Sequence, residues 1–219
     1  MFYYYGRKKR ISHLYPPPTH DTIIEPFAGS AAYSLHGNNW EKKVTISDTN
    51  PTVIGIWDYL KNASVKDIIA LPDFNAGEKI TDHAQLSEAE RDLIGLHINP
   101  GSSIPKITCS KFSRWKAGKQ YILGNLYKIK HWTILGDTYT CLKNAEATWF
   151  IDPPYQKAGI YYAGGNPIDF NSLGLWCKSR HGQVIVCESE GADWLPFEFL
   201  TSTTNVGQHR CKEVLWLKP

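Results

Sequence analysis

Short β-rich runs alternate with helical segments along most of this 219-residue chain, and this alternation restricts the possible folds more than any other feature of the sequence. The predicted strands cover residues 22–25, 43–47, 132–135, 148–151, 183–187, 199–203 and 213–217. The predicted helices cover residues 31–36, 51–62, 87–98, 115–128 and 169–180. Strands that alternate with helices are typical of an α/β fold, so the sequence predicts a sheet of parallel strands with helices packed against it.

Four of the predicted strands end at or next to an acidic residue. These residues are Glu25, Asp48, Asp137 and Asp152. Helix N-caps would account for one or two of them, but less well for all four. The carboxyl ends of parallel strands form one edge of the sheet, and ligands bind there. We therefore expect this edge to hold a ligand that attracts several carboxylates.

Positive charge is concentrated in two acid-free segments, although the whole chain carries a formal charge of only +3. The first segment, residues 1–20, contains four cationic residues, and the second, residues 93–136, contains seven. Such segments are typical of a protein that holds a polyanion at two places. A solvated lysine-rich surface is the alternative that charge alone leaves open.

The sequence also argues against several classes of protein. No run approaches the ~18 consecutive apolar residues of a membrane span, and residues 1–10 lack the apolar stretch of a secretory signal. The five cysteines are odd in number and form no CxxC pair, so neither a disulfide framework nor a zinc site is predicted. We expect no membrane association, no metal and a reducing cytoplasm.

The tetrapeptide Asp152-Pro153-Pro154-Tyr155 directly follows an apolar run and has specific chemical capabilities. Asp152 presents a carboxylate, and the prolines remove two backbone donors, so carbonyl groups face the site without competition. Tyr155 offers a flat face on which a base can stack. Together these groups would hold an exocyclic amine and clamp its ring, although an ordinary strand-to-loop turn can also contain two prolines.

The loop at residues 25–31 follows another predicted strand, and Gly29 within it permits close approach of the backbone. The charge of Glu25 disfavours a phosphate ligand, and the loop lacks both the GxGxxG and the GxxxxGK[ST] phosphate-binding patterns. Asp48, at the end of the next strand, lies where an acid commonly accepts ribose hydroxyls. The ligand that fits is a positively charged nucleoside without a phosphate, such as S-adenosyl-L-methionine.

Taken in order, these blocks resemble the Dam-like (D12) class of DNA N6-adenine methyltransferases, in the small form common in phages. The blocks are Tyr4-Tyr5-Gly6-Arg7-Lys8, the loop at residues 25–31, a basic insertion and the tetrapeptide at residues 152–155. The resemblance covers essentially the whole chain and implies a Rossmann-like, S-adenosylmethionine-dependent methyltransferase sheet with a helical target-recognition insertion. We expect the catalytic domain at residues 1–62 and 131–219 and the insertion at residues 63–130.

The resemblance also implies roles for individual residues. Asp152 and the carbonyl of Pro153, with Pro154 and Tyr155 in the same catalytic loop, would hold the target adenine. The cofactor would be bound by Tyr5, Gly6, Lys8, Glu25, Phe27, Gly29, Asp48, Asp137, Thr138 and Asp152. Glu25 and Ala31 replace the usual aspartate and glycine of the cofactor loop, but they preserve its charge and its small final residue.

DNA contacts are predicted in the basic insertion, where cationic residues are interleaved with Phe112 and Trp115. The candidates are Lys111, Arg114, Lys116 and Lys119. The glycine-rich residues 156–167 are interpreted either as a mobile lid over the site or as an ordinary surface loop.

The sequence therefore predicts a site-specific enzyme that transfers the methyl group of S-adenosylmethionine to N6 of an adenine flipped out of double-stranded DNA. Its predicted location is the cytoplasm of a bacterium or of a phage-infected host, where restriction-modification, anti-restriction and regulation are all open roles. Two alternatives remain, namely a methyltransferase acting on RNA adenine or another amino group, and a catalytically degenerate DNA-binding homologue. The aspartate of the tetrapeptide favours adenine over cytosine or glutamine as the acceptor.

Overall fold

A computed structural model of the protein describes residues 1–4, 6–157, 168–204 and 210–219, which form a seven-stranded sheet with helices on both faces. The strands are β1 (Thr22–Glu25), β2 (Lys43–Ser47), β3 (Thr133–Leu135), β4 (Thr148–Ile151), β5 (Val184–Ser189), β6 (Glu198–Thr204) and β7 (Arg210–Lys218). The helices are α1 (Pro51–Asn62), α2 (Val65–Ala70), α3 (Glu88–Ile98), α4 (Trp115–Asn125) and α5 (Phe170–Ser179). Short 3₁₀ helices cover Lys8–Arg10, Ser12–Leu14, Asn39–Glu41, Ile80–Asp82, Leu126–Ile129 and Tyr139–Cys141. None of the described helices is both long and apolar enough to cross a membrane.

The strand order of the sheet is β3-β2-β1-β4-β5-β7-β6. Strands β1 to β5 pair in parallel, whereas β7 is antiparallel to both β5 and β6. The predicted α/β class with a Rossmann-like sheet is confirmed, but the expectation of parallel strands is wrong for β7. Only residues 205–209 separate β6 from β7, and a parallel pair would need a crossover of about a dozen residues or more.

Successive residues of the central strands point to opposite faces of the sheet, and each face has its own core. Ile23 of β1 and Phe150 of β4 belong to the core that contains residues of α1, α3 and α4. Their neighbours Ile24 and Trp149 belong to the core that contains residues of α5. Because both faces of these strands are covered, β4 is buried along its entire length.

The segment at residues 63–130 is helical and contains α2, α3 and α4. Ser64 with Asp67 and Ser87 with Glu90 form capping boxes that begin α2 and α3. Buried residues of these helices belong to the same core as residues of the sheet and of α1. The insertion is therefore packed against one face of the sheet, and its exact boundaries stay a prediction.

The loop that follows β1 replaces the helix predicted at residues 31–36, which form turns. Ala31 has a φ of +46°, which a right-handed helix cannot contain. The N–H of Ser34 donates to Oε1 of Glu25 at 2.6 Å. The carboxylate at the end of β1 therefore holds this loop in a conformation that periodicity alone does not indicate.

Candidate active site

The four predicted strand-end acids lie at the carboxyl edge of the sheet, because strands β1 to β4 run in parallel. The ends of β2 and β3 are joined by hydrogen bonds: the N–H of Asp48 donates to the carbonyl of Leu135 at 3.3 Å, and the hydroxyl of Ser47 donates to the carbonyl of Asp137 at 2.7 Å. The strand order reverses between β1 and β4. Strand β1 ends in Glu25, and β4 is followed directly by Asp152. Doubly wound sheets bind ligands in the crevice at this reversal.

A buried network of charged and hydroxyl groups surrounds Asp152. The ammonium of Lys8 lies 3.0 Å from Oδ1 of Asp152 and 3.3 Å from Oε1 of Glu213. Tyr155 accepts a hydrogen bond from Lys8 and donates one to Glu213, and Tyr15 donates to the same Glu213 oxygen at 2.8 Å. The 3₁₀ helix at Lys8–Arg10, β4 and β7 thus deliver three parts of one site.

Burial and the ammonium of Lys8 have opposite effects on Asp152. Burial raises the pKa of Asp152 to about 6, and the positive charge of Lys8 opposes that rise. Burial also raises the pKa of Tyr155 well above its usual range, so its hydroxyl keeps its proton. At neutral pH the site therefore contains a carboxylate that accepts hydrogen bonds from a nitrogen donor beside a neutral phenol.

Asp152, Cys187 and Glu213 bring three groups of the metal-ligating kind within 4.8 Å of one another. Lys8 pairs with both carboxylates of this group. Burial raises the pKa of Cys187 well above its ordinary value, which keeps the thiol protonated and makes it a poor ligand. An ammonium therefore balances the charge of this group, and the prediction that the reaction needs no metal stays a prediction.

The loop after β1 and the end of β2 are fastened to each other through Asp48. Its two carboxylate oxygens accept hydrogen bonds from the N–H groups of Gly29 and Asn50, both at 2.9 Å. Gly29 has a φ of +47°, and a Cβ added there would lie 3.1 Å from the ring of Tyr4. The backbone of this loop therefore runs close to the N-terminal segment, and a side chain at position 29 would obstruct it.

Glu25 and Phe27, at the start of this loop, have different surroundings. Glu25 is only 2% exposed, and its burial raises the pKa of the carboxyl to about 7. The ring of Phe27 packs on Tyr139, with their centroids 5.5 Å apart. The loop thus combines a buried acid with an aromatic wall, and both features suit a cation that carries a flat ring.

The remaining predicted cofactor residues lie around the same edge. Asp137 and Thr138 are exposed after β3, and the hydroxyl of Thr138 caps the 3₁₀ helix at Tyr139–Cys141. Gly6 has a φ of +76°, which glycine adopts readily. Tyr5 lies outside the described residues, as do residues 158–167 of the segment interpreted as a lid or a loop.

The predicted DNA-contact residues divide into two groups. Lys111, Arg114 and Lys116 are exposed at the start of α4, and Phe112 beside them is 67% exposed. Lys119 instead donates to the carbonyl of Leu71 and pairs with Asp73 at 3.5 Å. The first three cations are available to a partner, whereas Lys119 fastens α4 to the end of α2.

Sequence reasoning did not find Glu213 or Tyr15, which complete the network around Asp152. Glu213 belongs to a predicted strand and is 7% exposed in the structure, and a carboxylate at a buried strand position is a signal that could have been used. Tyr15 carries no comparable signal, because a tyrosine before three prolines has many ordinary explanations. Its place in the site depends on contacts between distant parts of the chain.

The sheet order defines a Rossmann-like α/β fold, and the acids lie at the carboxyl edge of its sheet. Residues 8–93 match the sequence model of a family described as "D12 class N6 adenine-specific DNA methyltransferase". The matched segment contains Lys8, the loop after β1, Asp48 and the first part of the insertion, and it ends before Asp152. The predicted resemblance to this class is confirmed over that segment, and the match supports methyltransferase activity.

Among solved structures, the chain is similar to a crystal structure described as a "putative methylase" from Haemophilus influenzae. The two are 11% identical, the alignment covers 95% of this chain and 90% of the other, and the TM-score is 0.37. No significant sequence match to a curated protein is found.

Proposed function

We propose that this protein transfers the methyl group of S-adenosyl-L-methionine to N6 of an adenine that has been flipped out of double-stranded DNA. The observation that carries the proposal is the ion pair between Asp152 and Lys8. In this pair the carboxylate after β4 lies 3.0 Å from a nitrogen donor, in a largely buried site next to a tyrosine ring. An exocyclic amino group is a donor of the same kind.

The residues at the carboxyl edge fit the proposed cofactor. Asp48 would accept its ribose hydroxyls, Glu25 would face its positive charge, and the rings of Phe27 and Tyr139 would pack against its base. Gly29 has no side chain, so the loop after β1 packs its backbone directly against the ring of Tyr4 at this edge. When bound, S-adenosyl-L-methionine supplies a methyl group activated by a sulfonium.

Asp152 has two tasks in the proposed reaction. Its carboxylate and the carbonyl of Pro153 would hold the two amino hydrogens, so that the nitrogen lone pair is directed away from the ring. As the new N–C bond forms, the carboxylate stabilises the positive charge that develops on the nitrogen. A pKa of about 6 also allows Asp152 to take up the proton that the nitrogen then releases.

Lys8 and the target amino group would compete for the same oxygen of Asp152. The ammonium of Lys8 lies 4.4 Å from the centroid of the Tyr155 ring, so it also covers the face on which a base would stack. Entry of the adenine therefore requires Lys8 to withdraw from Asp152. The negative charge of Glu213, 3.3 Å away, remains as its partner.

Flipping the adenine costs a few kcal/mol, which stacking on Tyr155 and contacts to phosphates would offset. Lys111, Arg114 and Lys116 are exposed cations on the insertion that would make such contacts. Binding should therefore weaken as salt is added. Site specificity, a cytoplasmic location and a role in restriction-modification, anti-restriction or regulation are further parts of this proposal.

The test compares Asp152→Asn with Asp21→Asn. The first change keeps the shape of Asp152 but removes its charge, and the second removes an exposed charge at the opposite edge of the sheet. Methyl transfer from labelled cofactor is measured on duplex DNA and on single-stranded RNA, followed by nucleoside analysis. We expect N6-methyladenine in DNA, and we expect Asp152→Asn to lower the single-turnover rate by about 10²-fold or more.

Cofactor binding to Asp152→Asn, measured by calorimetry, should persist, and Asp21→Asn should behave like the unchanged protein. Normal turnover by Asp152→Asn would contradict the assignment of the catalytic carboxylate. Methylation of RNA in preference to DNA would establish the alternative substrate.

A further inference from the structure

A pocket of about 340 Å³ lies beside the candidate active site. Its walls come from the N-terminal segment, from the loop after β1, from His97 in α3 and from one side of α4. Its described lining contains none of the residues that we assign to methyl transfer or to the cofactor. The volume falls within the range of about 300–1,000 Å³ that is usual for small-molecule sites.

Two cations line this pocket without an acid among its described lining residues. The guanidinium of Arg7 lies 3.9 Å from the ring centroid of Tyr3, and the ammonium of Lys9 lies 3.9 Å from that of Tyr121. Burial and the charge of Arg7 lower the pKa of Lys9. Two cations that lie close together, with no carboxylate partner in the described part of the chain, favour an anion, because an anion relieves their repulsion.

His97 adds a hydrogen-bond acceptor to the same pocket. It is fully buried, and its Nδ1 lies 2.8 Å from the carbonyl of Leu93. Since a carbonyl can only accept, Nδ1 carries the proton and Nε2 presents a lone pair. That lone pair has no partner among the described residues, and burial lowers the pKa of His97 to about 4, so the ring is neutral at pH 7.

Gly118 determines where the free nitrogen of His97 lies. A Cβ added to Gly118 would be 2.5 Å from Nε2, so the tip of the imidazole fills the space beside this glycine. Both residues line the pocket. The lone pair therefore lies at the contact between two lining residues of the pocket, where a small shift of the imidazole would bring a ligand N–H or O–H within reach of it.

We infer that this pocket binds a nucleotide of the DNA substrate adjacent to the flipped adenine. Its phosphate would lie against Arg7 and Lys9, and an amino group of its base would donate to Nε2 of His97. A nucleotide supplies both an anion for the two cations and a hydrogen-bond donor for the lone pair of His97. The inference rests on the proposed methylation of DNA.

The position of Lys8 favours a nucleotide within a DNA strand over a free one. Lys8 contacts Asp152 and stands between Arg7 and Lys9 in the chain, where consecutive Cα atoms are about 3.8 Å apart. Because Arg7 and Lys9 flank Lys8 in the chain, the nucleotide joined to the target adenine is the part of the substrate that would lie nearest to this pocket.

The test uses two substitutions at His97 and one at Lys9. His97→Asn retains an amide donor near Nδ1 but removes Nε2, whereas His97→Gln places an amide group near Nε2. Lys9→Ala removes a cation of the pocket, and Lys178→Ala, on the opposite face of the sheet, is the control of equal charge. Affinity is measured by fluorescence anisotropy with a labelled duplex that the unchanged protein methylates.

We expect His97→Asn to weaken duplex binding roughly five- to tenfold without changing its salt dependence, and His97→Gln to recover part of the loss. Lys9→Ala should weaken binding and reduce the slope of log affinity against log salt by about 1. Lys178→Ala should change neither quantity. Affinity for S-adenosylmethionine should stay unchanged in all four variants, which also verifies that they fold.

Unchanged duplex affinity in both His97→Asn and Lys9→Ala would overturn the inference about the pocket. The proposed function would still hold in that case if the unchanged protein methylates DNA. A second arm uses adenosine monophosphate and inorganic phosphate as probes. Binding of either probe that is lost in Lys9→Ala, with duplex affinity unaffected, would also overturn the assignment to a DNA nucleotide. Failure of the unchanged protein to methylate DNA would instead reject the proposed function.

Discussion

Glu25 is a carboxylate that the folded protein holds at a cost. It is 2% exposed, and burial is the main cause of the rise of its pKa from 4.5 to about 7. A shift of that size corresponds to a free energy on the order of 3 kcal/mol at about 1.36 kcal/mol per pKa unit. Such a cost is reasonable where a positively charged ligand offsets it, so the residue that weakens the fold is the one proposed to attract the cofactor.

Replacement of Glu25 by glutamine tests this trade between stability and binding. The folded state binds a proton at Glu25 more tightly than the unfolded state, so stability falls as the pH rises from 4.5 through about 7. Glutamine can still accept the hydrogen bond from Ser34. We expect Glu25→Gln to raise the free energy of unfolding at pH 8 by roughly 1–3 kcal/mol and to have little effect near pH 5.

Denaturant titrations at the two pH values measure this difference, with Asp21→Asn as a control at an exposed position. Calorimetry should reveal weaker binding of S-adenosylmethionine to Glu25→Gln. A variant that is less stable than the unchanged protein at pH 8 would show that the charge of Glu25 supports the fold.

The individual residues of the site were predictable from sequence to different degrees. Glu25, Asp48 and Asp152 follow from strand ends, because parallel strands bring such ends to one edge. Glu213 was not predicted, because β7 runs in the opposite direction and contributes a residue from near its beginning. Its position depends on the topology of the sheet, which local patterns do not contain.

Helix α4 contains two glycines with different surroundings, and these make a matched experiment. Gly118 faces His97, and an added Cβ would lie 2.3 Å from the imidazole Cδ2, whereas nothing lies within 4 Å of a Cβ added to Gly124. We expect Gly118→Ala to destabilise the protein by about 1–3 kcal/mol through overpacking. Gly124→Ala should stabilise it by roughly 0.5–1 kcal/mol, because alanine is the better helix former.

Thermal and chemical denaturation of the two variants give this comparison directly. Opposite signs for the two changes would confirm that the imidazole of His97 is tightly packed against Gly118. Stabilisation by both would mean that the imidazole moves away without cost.

Helices and strands were predicted best where residues next to them in the sequence cap their ends. Helix α1 spans the predicted residues 51–62, because the side chain of Asn50 caps it and Pro51 occupies its first turn. Helix α2 was missed although Ser64 and Asp67 have the spacing of a capping box, since its six residues give too little periodicity. The helix predicted at residues 31–36 failed because its backbone is bound by Glu25, nine residues earlier.

At the scale of the molecule, opposite charges have separate places. The acids predicted to face the cofactor lie at the edge of the sheet, whereas Lys111 and Arg114 are exposed on the insertion. Because the two groups are on different elements, the contributions of DNA and cofactor binding should separate. The net charge of +3 therefore results from acidic and basic groups that lie in separate places. This separation suits one cationic and one anionic ligand.

The double change Lys111→Ala with Arg114→Ala is expected to weaken duplex DNA binding and to reduce the slope of log affinity against log salt by about 2. The affinity for S-adenosylmethionine should be unchanged. Anisotropy titrations over a range of salt concentrations and calorimetry measure the two quantities, with Lys178→Ala as the control. An equal loss of both affinities would mean that the insertion supports the fold of the cofactor site instead of holding DNA.

The hydrogen bond from Tyr15 to Glu213 joins residues that are 198 positions apart. A ribosome that adds about 5–20 residues per second releases Glu213 roughly 10–40 s after Tyr15. The acceptor that Lys8, Tyr15 and Tyr155 share is therefore the last of these four residues to be made. The site around Asp152 is completed only when β7 enters the sheet between β5 and β6.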